Sequence, residues 1–287
     1  MCGSDDEPAA GRAPERSTND LLMEAERLER EASDWRINYY SKRLPAGGKR
    51  LLDLGCGNGY AVAAWRSLGV QAVGVDISRY RLARWVAEHR ERRMLVLADA
   101  RNLPFRPDTF DVVISSGMIE HVGVRESSNP YTVSAEVDQD EARAQVVGEL
   151  SRIVRSGGIA YLDFPNGSFP VDFWHGDQIG TLRWHGIPDA LLPGFRDVAK
   201  WASGAGMTVR LEALTGRLAF RQVSRHWWGR WLATPVAIFI RFLDRAVARD
   251  WLRLPIILYP YLVISLRRRA TERPLPSIPG LFQTPPP

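Results

Sequence analysis

The sequence predicts an α/β fold in which a mostly parallel sheet is covered by helices on both faces. Short, almost continuously apolar runs alternate with segments of helical periodicity along most of the chain, and this alternation is typical of βαβ units. The apolar runs lack the inside-outside alternation of a sheet with one face in water, which indicates strands buried on both sides.

The predicted elements follow one another in a regular order after a helical segment at 19–48. The strands before a long insertion are LLDLG, QAVGVD, MLVLAD, FDVVISS, IAYLDFP and MTVRLEAL. The helices between them are YAVAAWRSLG, SRYRLARWVAEHRER, DEARAQVVGELSRIVRSGG and FRDVAKWASGAG. After an insertion at about 216–260, YLVISLRRR is the last strand. We therefore assign 49–270 to one domain, and we expect polar, disordered tails at 1–18 and 271–287.

Composition sets broad limits on function. The chain has 287 residues and a net charge of +5, a mild excess that does not by itself indicate a nucleic-acid partner. Cys2 and Cys56 form neither a disulfide framework nor a metal-ligand spacing, which favours a reducing compartment. No signal-peptide pattern is recognised at the start, so we expect a cytoplasmic protein, either free or at the inner face of the membrane.

A glycine-rich turn, LLDLGCGNGY, follows the first strand. A dinucleotide fingerprint has the spacing G-x-G-x-x-G, but here the third glycine is Gly59 and Tyr60 takes the fingerprint position. Asp53, two residues before the first glycine, would disfavour a pyrophosphate and favour a cation such as a sulfonium or an ammonium group. The turn therefore indicates a cationic ligand.

Five segments in order, LDLGCGNG, VGVDIS, LADARNLPF, FDVVISSGMIEHV and ELSRIVRSGG, resemble the motifs of class I S-adenosylmethionine-dependent methyltransferases, in particular the small-molecule bacterial types 11 and 12. The resemblance implies a Rossmann-like, doubly wound, seven-stranded sheet with an antiparallel last strand and a helical insertion before it. It also implies S-adenosyl-L-methionine as cofactor. The glycine turn would hold the methionine part, Asp76 the ribose, Asp99 and its neighbour the adenine, and two serines the floor. The implied cofactor-binding residues are Asp53, Gly55, Cys56, Gly57, Gly59, Asp76, Ile77, Asp99, Ala100, Ser115 and Ser116.

The residues directly after the fourth strand disfavour several methyltransferase subclasses. SSGMIEHV stands where amino-group methylation of bases needs an Asn/Asp-Pro-Pro-aromatic turn, and it offers no acidic ligand for a metal. No cysteine outside the glycine turn and the N-terminal tail is present to attack cytosine. We therefore predict no metal and no specific nucleic-acid partner.

The acceptor side is predicted from two segments. His121 follows the fourth strand, and FPNGSFPVDFWHGDQIGTLRWHG would cross the mouth of the site after the fifth. His175 is the preferred catalytic base and His121 the second candidate, with a structural histidine as the alternative for each. The residues predicted to form the acceptor pocket are Trp174, Asp177, Trp184 and His185. We expect methyl transfer to a small-molecule, glycan or lipid-linked acceptor, most simply at oxygen. The alternatives are a non-catalytic S-adenosylmethionine-binding protein of regulatory or assembly function, and methylation of RNA or protein.

The insertion is predicted to contain a basic amphipathic helix. One face would hold Val236, Phe239, Ile240, Leu243 and Val247. Another would hold Arg241, Arg245 and Arg249. No uncharged run reaches the ~18 residues of a spanning helix. Three roles remain open: packing on the domain or capping the acceptor site, peripheral membrane contact through 227–258, and a homodimer contact.

Overall fold

The computed structural model describes residues 18–44, 49–89, 94–128, 131–173, 183–214, 227–248 and 256–269. Both predicted tails lie outside these residues, except that the first helix already includes Thr18.

Helices and strands alternate along the described chain. In chain order they are α1 (Thr18–Ser41), β1 (Arg50–Leu54), α2 (Tyr60–Ser67), β2 (Gln71–Asp76), α3 (Arg79–His89), β3 (Leu95–Leu97), β4 (Phe110–Ser116), β5 (Val124–Ser128), β6 (Tyr131–Ala135), α4 (Gln139–Ile153), β7 (Val154–Pro165), β8 (Val171–Asp172), β9 (Arg183–Trp184), α5 (Phe195–Gly204), β10 (Met207–Leu211), α6 (Trp227–Ala248) and β11 (Tyr261–Arg268), with single 3₁₀ turns at Ile119–His121 and Ile256–Leu258.

The main sheet has seven strands within the described residues, in the order β10-β11-β7-β4-β1-β2-β3. Strands β7, β4, β1, β2 and β3 pair in parallel, whereas β11 pairs antiparallel with both β10 and β7. The strand order reverses between β1 and β4, so the carboxyl ends of these two strands flank the point where ligands bind in open α/β sheets. The predicted Rossmann-like sheet with an antiparallel last strand is confirmed.

The sheet is buried on both faces. Every residue of β4 is buried although successive side chains point to opposite sides. Leu51 and Leu52 of β1 are likewise inaccessible, and Trp65 of α2 and Trp85 of α3 are almost completely covered. Since complete burial of a large apolar side chain contributes roughly 1.5–3 kcal/mol, these strands and helices form one rigid frame for the residues at the strand ends.

The predicted helix DEARAQVVGELSRIVRSGG is too long. The structure ends α4 at Ile153, and Val154 is already extended, with φ −75° and ψ 125°. Val154 pairs with Phe110, and the register with β4 then shifts before Val112 pairs with Ile159. The extra residues include Gly157, whose φ of +76° is open to glycine at little cost. The two glycines thus belong to an irregular strand start rather than to a helix end.

Two hairpins outside the main sheet were not predicted. β5 pairs with β6, and β8 pairs with β9, both antiparallel. Both hairpins follow the carboxyl ends of strands of the main sheet, so they extend the fold at the edge where the ligand site is expected.

The insertion contains the predicted helix, α6, and the core side of α6 includes part of the predicted apolar face. Ile240 and Leu243 are buried, and so is Asp244, whose Oδ1 accepts a hydrogen bond from Leu214 N at 2.8 Å. Phe239 is 46% exposed because the 100° step per residue places it beside this face. Val247 and Arg249 lie outside the residues whose side chains the structure describes. In the described part of the chain, no helix is both long and apolar enough to cross a membrane.

Candidate functional site

The glycine turn after β1 requires glycine at each of its three glycine positions. Gly55, Gly57 and Gly59 have φ values of +78°, +58° and +78°, in the left-handed region. A Cβ on Gly59 would lie 2.4 Å from the Trp85 ring, and one on Gly55 would lie 2.6 Å from Met118 Cγ. The turn therefore keeps its backbone close to its neighbours and opens directly into α2.

Asp76 ends β2 and faces this turn. Its Oδ2 accepts a hydrogen bond from Gly57 N at 2.9 Å, and its Oδ1 accepts one from Ser78 N at 2.8 Å. Each carboxylate oxygen accepts about two hydrogen bonds, so the fixed carboxylate retains capacity for two ligand hydroxyl groups.

Asp99 follows β3 and is held by a neighbouring arginine. Arg101 Nη2 donates to Asp99 Oδ2 at 2.7 Å, and Arg101 Nε donates to Oδ1 at 3.1 Å. These bonds hold the pKa of Asp99 below its ordinary value, so the carboxylate is an anion at neutral pH. An adenine amino group would have to share it with Arg101.

A pocket of about 280 Å³ lies at these strand ends. Its walls bring together six of the predicted residues, namely Gly55, Asp76, Ile77, Asp99, Ala100 and His121. Val124, the first residue of the β5–β6 hairpin, and Glu136, the residue after it, also line the pocket. The unpredicted hairpin thus helps to enclose the site.

Other predicted cofactor residues lie behind the pocket wall. Cys56 is buried, its thiol pKa is raised well above the ordinary value by burial, and its Sγ would lie 2.6 Å from a Cβ on Gly74. Ser116 Oγ donates to Asp163 Oδ1 at 2.6 Å. Ser115 Oγ is buried and has no hydrogen-bond partner among the described residues. Cys56 therefore fills space, and the Ser115 hydroxyl is buried outside the lining of the pocket.

Asp53 already has a cation beside it. The residue is fully buried at the end of β1, and Arg36 Nη1 of α1 lies 3.3 Å from its Oδ1 and 3.5 Å from its Oδ2. Burial raises the pKa of Asp53, and the nearby guanidinium opposes that rise. The sequence indicated a cationic ligand beside Asp53, but Arg36 of the protein itself supplies a cation there. A contact between Asp53 and the cofactor stays a prediction.

Helix α1 supplies contacts to the glycine turn and to the strand ends that were not predicted from the sequence. Glu29 accepts hydrogen bonds from Asn58 N at 2.8 Å and from Asn58 Nδ2 at 2.7 Å, directly on the glycine turn. Arg36 lies two helical turns further, and the Tyr40 hydroxyl donates to Asp163. Positions 29, 36 and 40 share one helical face. Their spacing was the sequence pattern that could have indicated that these three residues contact the same part of the domain.

Asp163 is a further unpredicted residue and joins three elements. It is fully buried in β7, and it accepts hydrogen bonds from the hydroxyls of Tyr40 in α1, Ser116 in β4 and Tyr261 in β11. Gly117 N also donates to its backbone carbonyl at 2.8 Å. This residue therefore fixes the carboxyl end of β4 relative to the first helix and the last strand.

The predicted acceptor segment is described only in part. Trp174, His175 and Asp177 lie outside the described residues. Trp184 is 74% exposed. The His185 side chain is buried, with Nδ1 2.8 Å from Gly186 O and 3.3 Å from Asp189 Oδ2, and its Nε2 has no hydrogen-bond partner in the described chain. Neither Trp184 nor His185 lines the pocket that holds Asp76.

A family model described as a methyltransferase domain matches residues 52–162, the segment that contains the whole pocket. Residues 52–162 therefore form a domain of the class I S-adenosylmethionine-dependent methyltransferase type.

Three relatives illustrate the similarity of this methyltransferase to known proteins. It is 27% identical over 217 residues to an uncharacterized methyltransferase of Mycobacterium leprae, across 69% of this chain and 70% of the relative. It is 38% identical over 96 residues to a tRNA U34 carboxymethyltransferase of Ectopseudomonas mendocina, across 31% of this chain and 29% of that protein. A solved S-adenosylmethionine dependent methyltransferase from Mesorhizobium loti has 17% identity and a TM-score of 0.49, across 82% of this chain and 98% of that chain.

S-adenosyl-L-methionine is the methyl donor of this family, and the residues of the methyltransferase fit it. Asp76 has acceptor capacity for ribose hydroxyls, and the pocket brings this carboxylate together with Gly55 and Asp99. When bound, the cofactor supplies a methyl group on a sulfonium, already activated for displacement. No group of three or more His, Cys, Asp or Glu side chains within the described residues could hold a metal ion.

Proposed function

We propose that this methyltransferase transfers the methyl group to an oxygen of a small-molecule, glycan or lipid-linked acceptor, with His121 as the general base. The observation that supports the proposal is the position of His121 in the wall of the pocket that also contains Gly55 and Asp76. Histidine exchanges a proton near neutral pH, and an acceptor hydroxyl must lose its proton as the new O–C bond forms.

His121 is held in place by the turn that carries it. The 3₁₀ turn Ile119–His121 directly follows β4, and His121 N donates to Met118 O at 3.0 Å. Ile119 is buried in the core. The histidine therefore projects from an anchored backbone, which favours a defined position over the cofactor site.

Buried Arg143 fixes both sides of this turn. Its Nη2 donates to Glu120 O at 2.9 Å and to Leu191 O at 2.6 Å, and its Nε donates to Val122 O at 3.1 Å. Burial lowers the pKa of Arg143 to about 10, so the side chain remains a cation at neutral pH. Since Leu191 follows the acceptor segment, Arg143 links that segment to the backbone around His121.

The acceptor would bind between this histidine turn and the segment after β7. His185 is the second candidate base there. Its Nδ1 faces Gly186 O, which favours the tautomer with a lone pair on Nε2. His175 and the predicted pocket residues Trp174, Asp177 and Trp184 remain proposals for the same segment.

The acceptor class is tested by incubating the protein and labelled S-adenosyl-L-methionine with fractionated cell extract, followed by mass spectrometry of the labelled fraction. With that acceptor, His121→Asn should lower kcat by about 100-fold or more and remove the limb of the pH profile that depends on the base. Its affinity for S-adenosylhomocysteine should stay unchanged.

His185→Asn is the matched control for this experiment. A large fall in kcat for His185→Asn together with normal turnover for His121→Asn would move the base to the acceptor segment. Cofactor binding without any methylated product from any fraction would instead support the non-catalytic alternative.

An RNA acceptor is the second candidate, because a relative that matches part of this chain is a tRNA U34 carboxymethyltransferase. That match covers 31% of the chain. Labelled product that disappears after ribonuclease treatment would favour RNA, whereas ribonuclease-resistant label extracted into organic solvent would favour a lipid-linked acceptor.

A further inference from the structure

Helix α6 presents an apolar stripe to solvent. Trp231, Ile238 and Phe242 are 78%, 60% and 55% exposed. At 100° per residue these positions, separated by seven and four residues, fall within about 40° of one another. Three large apolar side chains in one row on a helix are unusual on a surface that contacts only water.

The opposite face of α6 holds the helix in this orientation. Ile240 and Leu243 are buried in the core, and buried Asp244 accepts a hydrogen bond from Leu214 N at 2.8 Å. Rolling the helix to cover the stripe would expose these two apolar side chains and separate the carboxylate from its donor. The stripe is therefore a fixed feature of the domain surface.

The charges that α6 itself places beside the stripe all have one sign. Arg241 and Arg245, three and seven residues after Ile238, are exposed. Asp244 is the only acidic residue of Trp227–Ala248, and it lies on the buried face. The outward face of α6 thus combines large apolar side chains with arginines and no acid.

We infer that this face of α6 docks on the surface of an anionic lipid bilayer. An amphipathic helix lying in the membrane plane inserts its apolar row into the boundary between headgroups and acyl chains, and flanking arginines contact lipid phosphates. The positive charge complements such a surface, and the arginine stems can extend along the apolar side chains toward the headgroups. This docking goes beyond methyl transfer and does not depend on the chemistry of the acceptor.

Co-sedimentation of the full chain with vesicles tests this inference in the absence of cofactor and acceptor. We expect binding to vesicles of equal parts phosphatidylglycerol and phosphatidylcholine, weaker binding to phosphatidylcholine alone, and loss of binding at high salt. Arg241→Glu with Arg245→Glu should weaken binding to the anionic vesicles more than about tenfold, and Ile238→Gln with Phe242→Gln should abolish it.

Matched controls separate the stripe from net charge and from general hydrophobicity. Arg196→Glu with Arg210→Glu changes the net charge equally at exposed sites on α5 and β10, and Leu68→Gln removes an apolar side chain that is 61% exposed elsewhere. Both controls should bind as the parent does. Unfolding midpoints in urea equal to that of the parent would establish that the α6 variants are folded.

Three results would overturn the inference. They are absence of vesicle binding by the parent, equal binding by the parent and the charge-reversed α6 variant, and a dimer, seen by sedimentation velocity without vesicles, that Ile238→Gln with Phe242→Gln dissociates. The last result would assign the stripe to a second copy of the chain. Methyl-transfer activity is measured separately, so failure of docking and failure of the proposed reaction are distinguishable.

Discussion

The guanidinium of Arg36 lies 3.3 Å from the carboxylate of Asp53, and this ion pair joins α1 to the end of β1. Asp53 is fully buried and the Arg36 side chain is 14% exposed. The pair stands immediately before the glycine turn, so the first helix contributes directly to the electrostatics beside that turn.

Arg36→Met should destabilise the protein by about 3–5 kcal/mol near neutral pH, because a buried carboxylate would lose its cation. Burial already raises the pKa of Asp53, and loss of Arg36 would raise it further. A carboxyl with a raised pKa in the folded state costs stability above that pKa and regains it as protonation proceeds at lower pH. The decrease in the free energy of unfolding caused by Arg36→Met, measured by urea unfolding, should therefore be larger at about pH 8 than at about pH 5.

Arg27→Met is the control for this prediction, because Arg27 lies on the same helix with 56% of its side chain exposed, in a surface pair with Glu31. Such a pair contributes about 1 kcal/mol or less. If Arg36→Met and Arg27→Met lowered the free energy of unfolding equally and independently of pH, the result would contradict a charged, buried pair of Arg36 and Asp53.

Asp76→Asn should weaken binding of S-adenosylhomocysteine by at least about tenfold, since a hydrogen bond to a charged group contributes about 1.5–3 kcal/mol. The asparagine would also point an N–H₂ group at a backbone donor, either Gly57 N or Ser78 N. Calorimetry with Asp138→Asn as the exposed control measures the difference. Unchanged affinity in Asp76→Asn would exclude Asp76 from the ribose site.

Gly59→Ala should destabilise the protein more than Gly69→Ala. Both glycines have positive φ, +78° and +80°, so both substitutions carry a strain of roughly 1–2 kcal/mol. A Cβ at Gly59 would also lie 2.4 Å from the Trp85 ring, whereas one at Gly69 meets no other atom within 4 Å among the described residues. Overpacking adds about 1–3 kcal/mol at Gly59. Urea midpoints that fall equally would show that the Trp85 contact costs nothing.

The carboxyl of Asp163 should couple Tyr40 to Tyr261. Each hydroxyl donates to one of its oxygens, and Tyr40→Phe or Tyr261→Phe should each cost about 1–3 kcal/mol. The double variant should differ from the sum of the single variants by about 0.5 kcal/mol or more, because the two donors share one acceptor group. Strict additivity in a double-mutant cycle would indicate that the two tyrosines act independently.

The sequence was sufficient to predict the sheet and the residues at or just after the carboxyl ends of β1, β2 and β3. Continuous apolar runs identify buried strands, and the parallel arrangement then brings Gly55, Asp76 and Asp99 to one edge. These assignments rest on local patterns and on a topology that such patterns restrict strongly. The pocket accordingly contains three residues that belong to separate motifs.

The contacts of α1 and the two hairpins could not be predicted in the same way. Periodicity identifies which face of α1 is buried, but not that Glu29 contacts Asn58 or that Tyr40 contacts a carboxyl 123 positions later. The hairpin strands VRESS and YTVSA have mixed polarity and little apolar signal. Such features depend on tertiary packing, which a single sequence does not display.

The position of β11 has a consequence for synthesis of the chain. This strand is made last among those of the main sheet, yet it lies between β7 and β10. Until the ribosome has released Tyr261–Arg268, one edge of β7 carries unpaired backbone groups, and β10 has no neighbouring strand within the described sheet. Open edges of this kind recruit strands from other chains. The nascent protein therefore exposes an open sheet edge from the translation of β7 until the translation of β11.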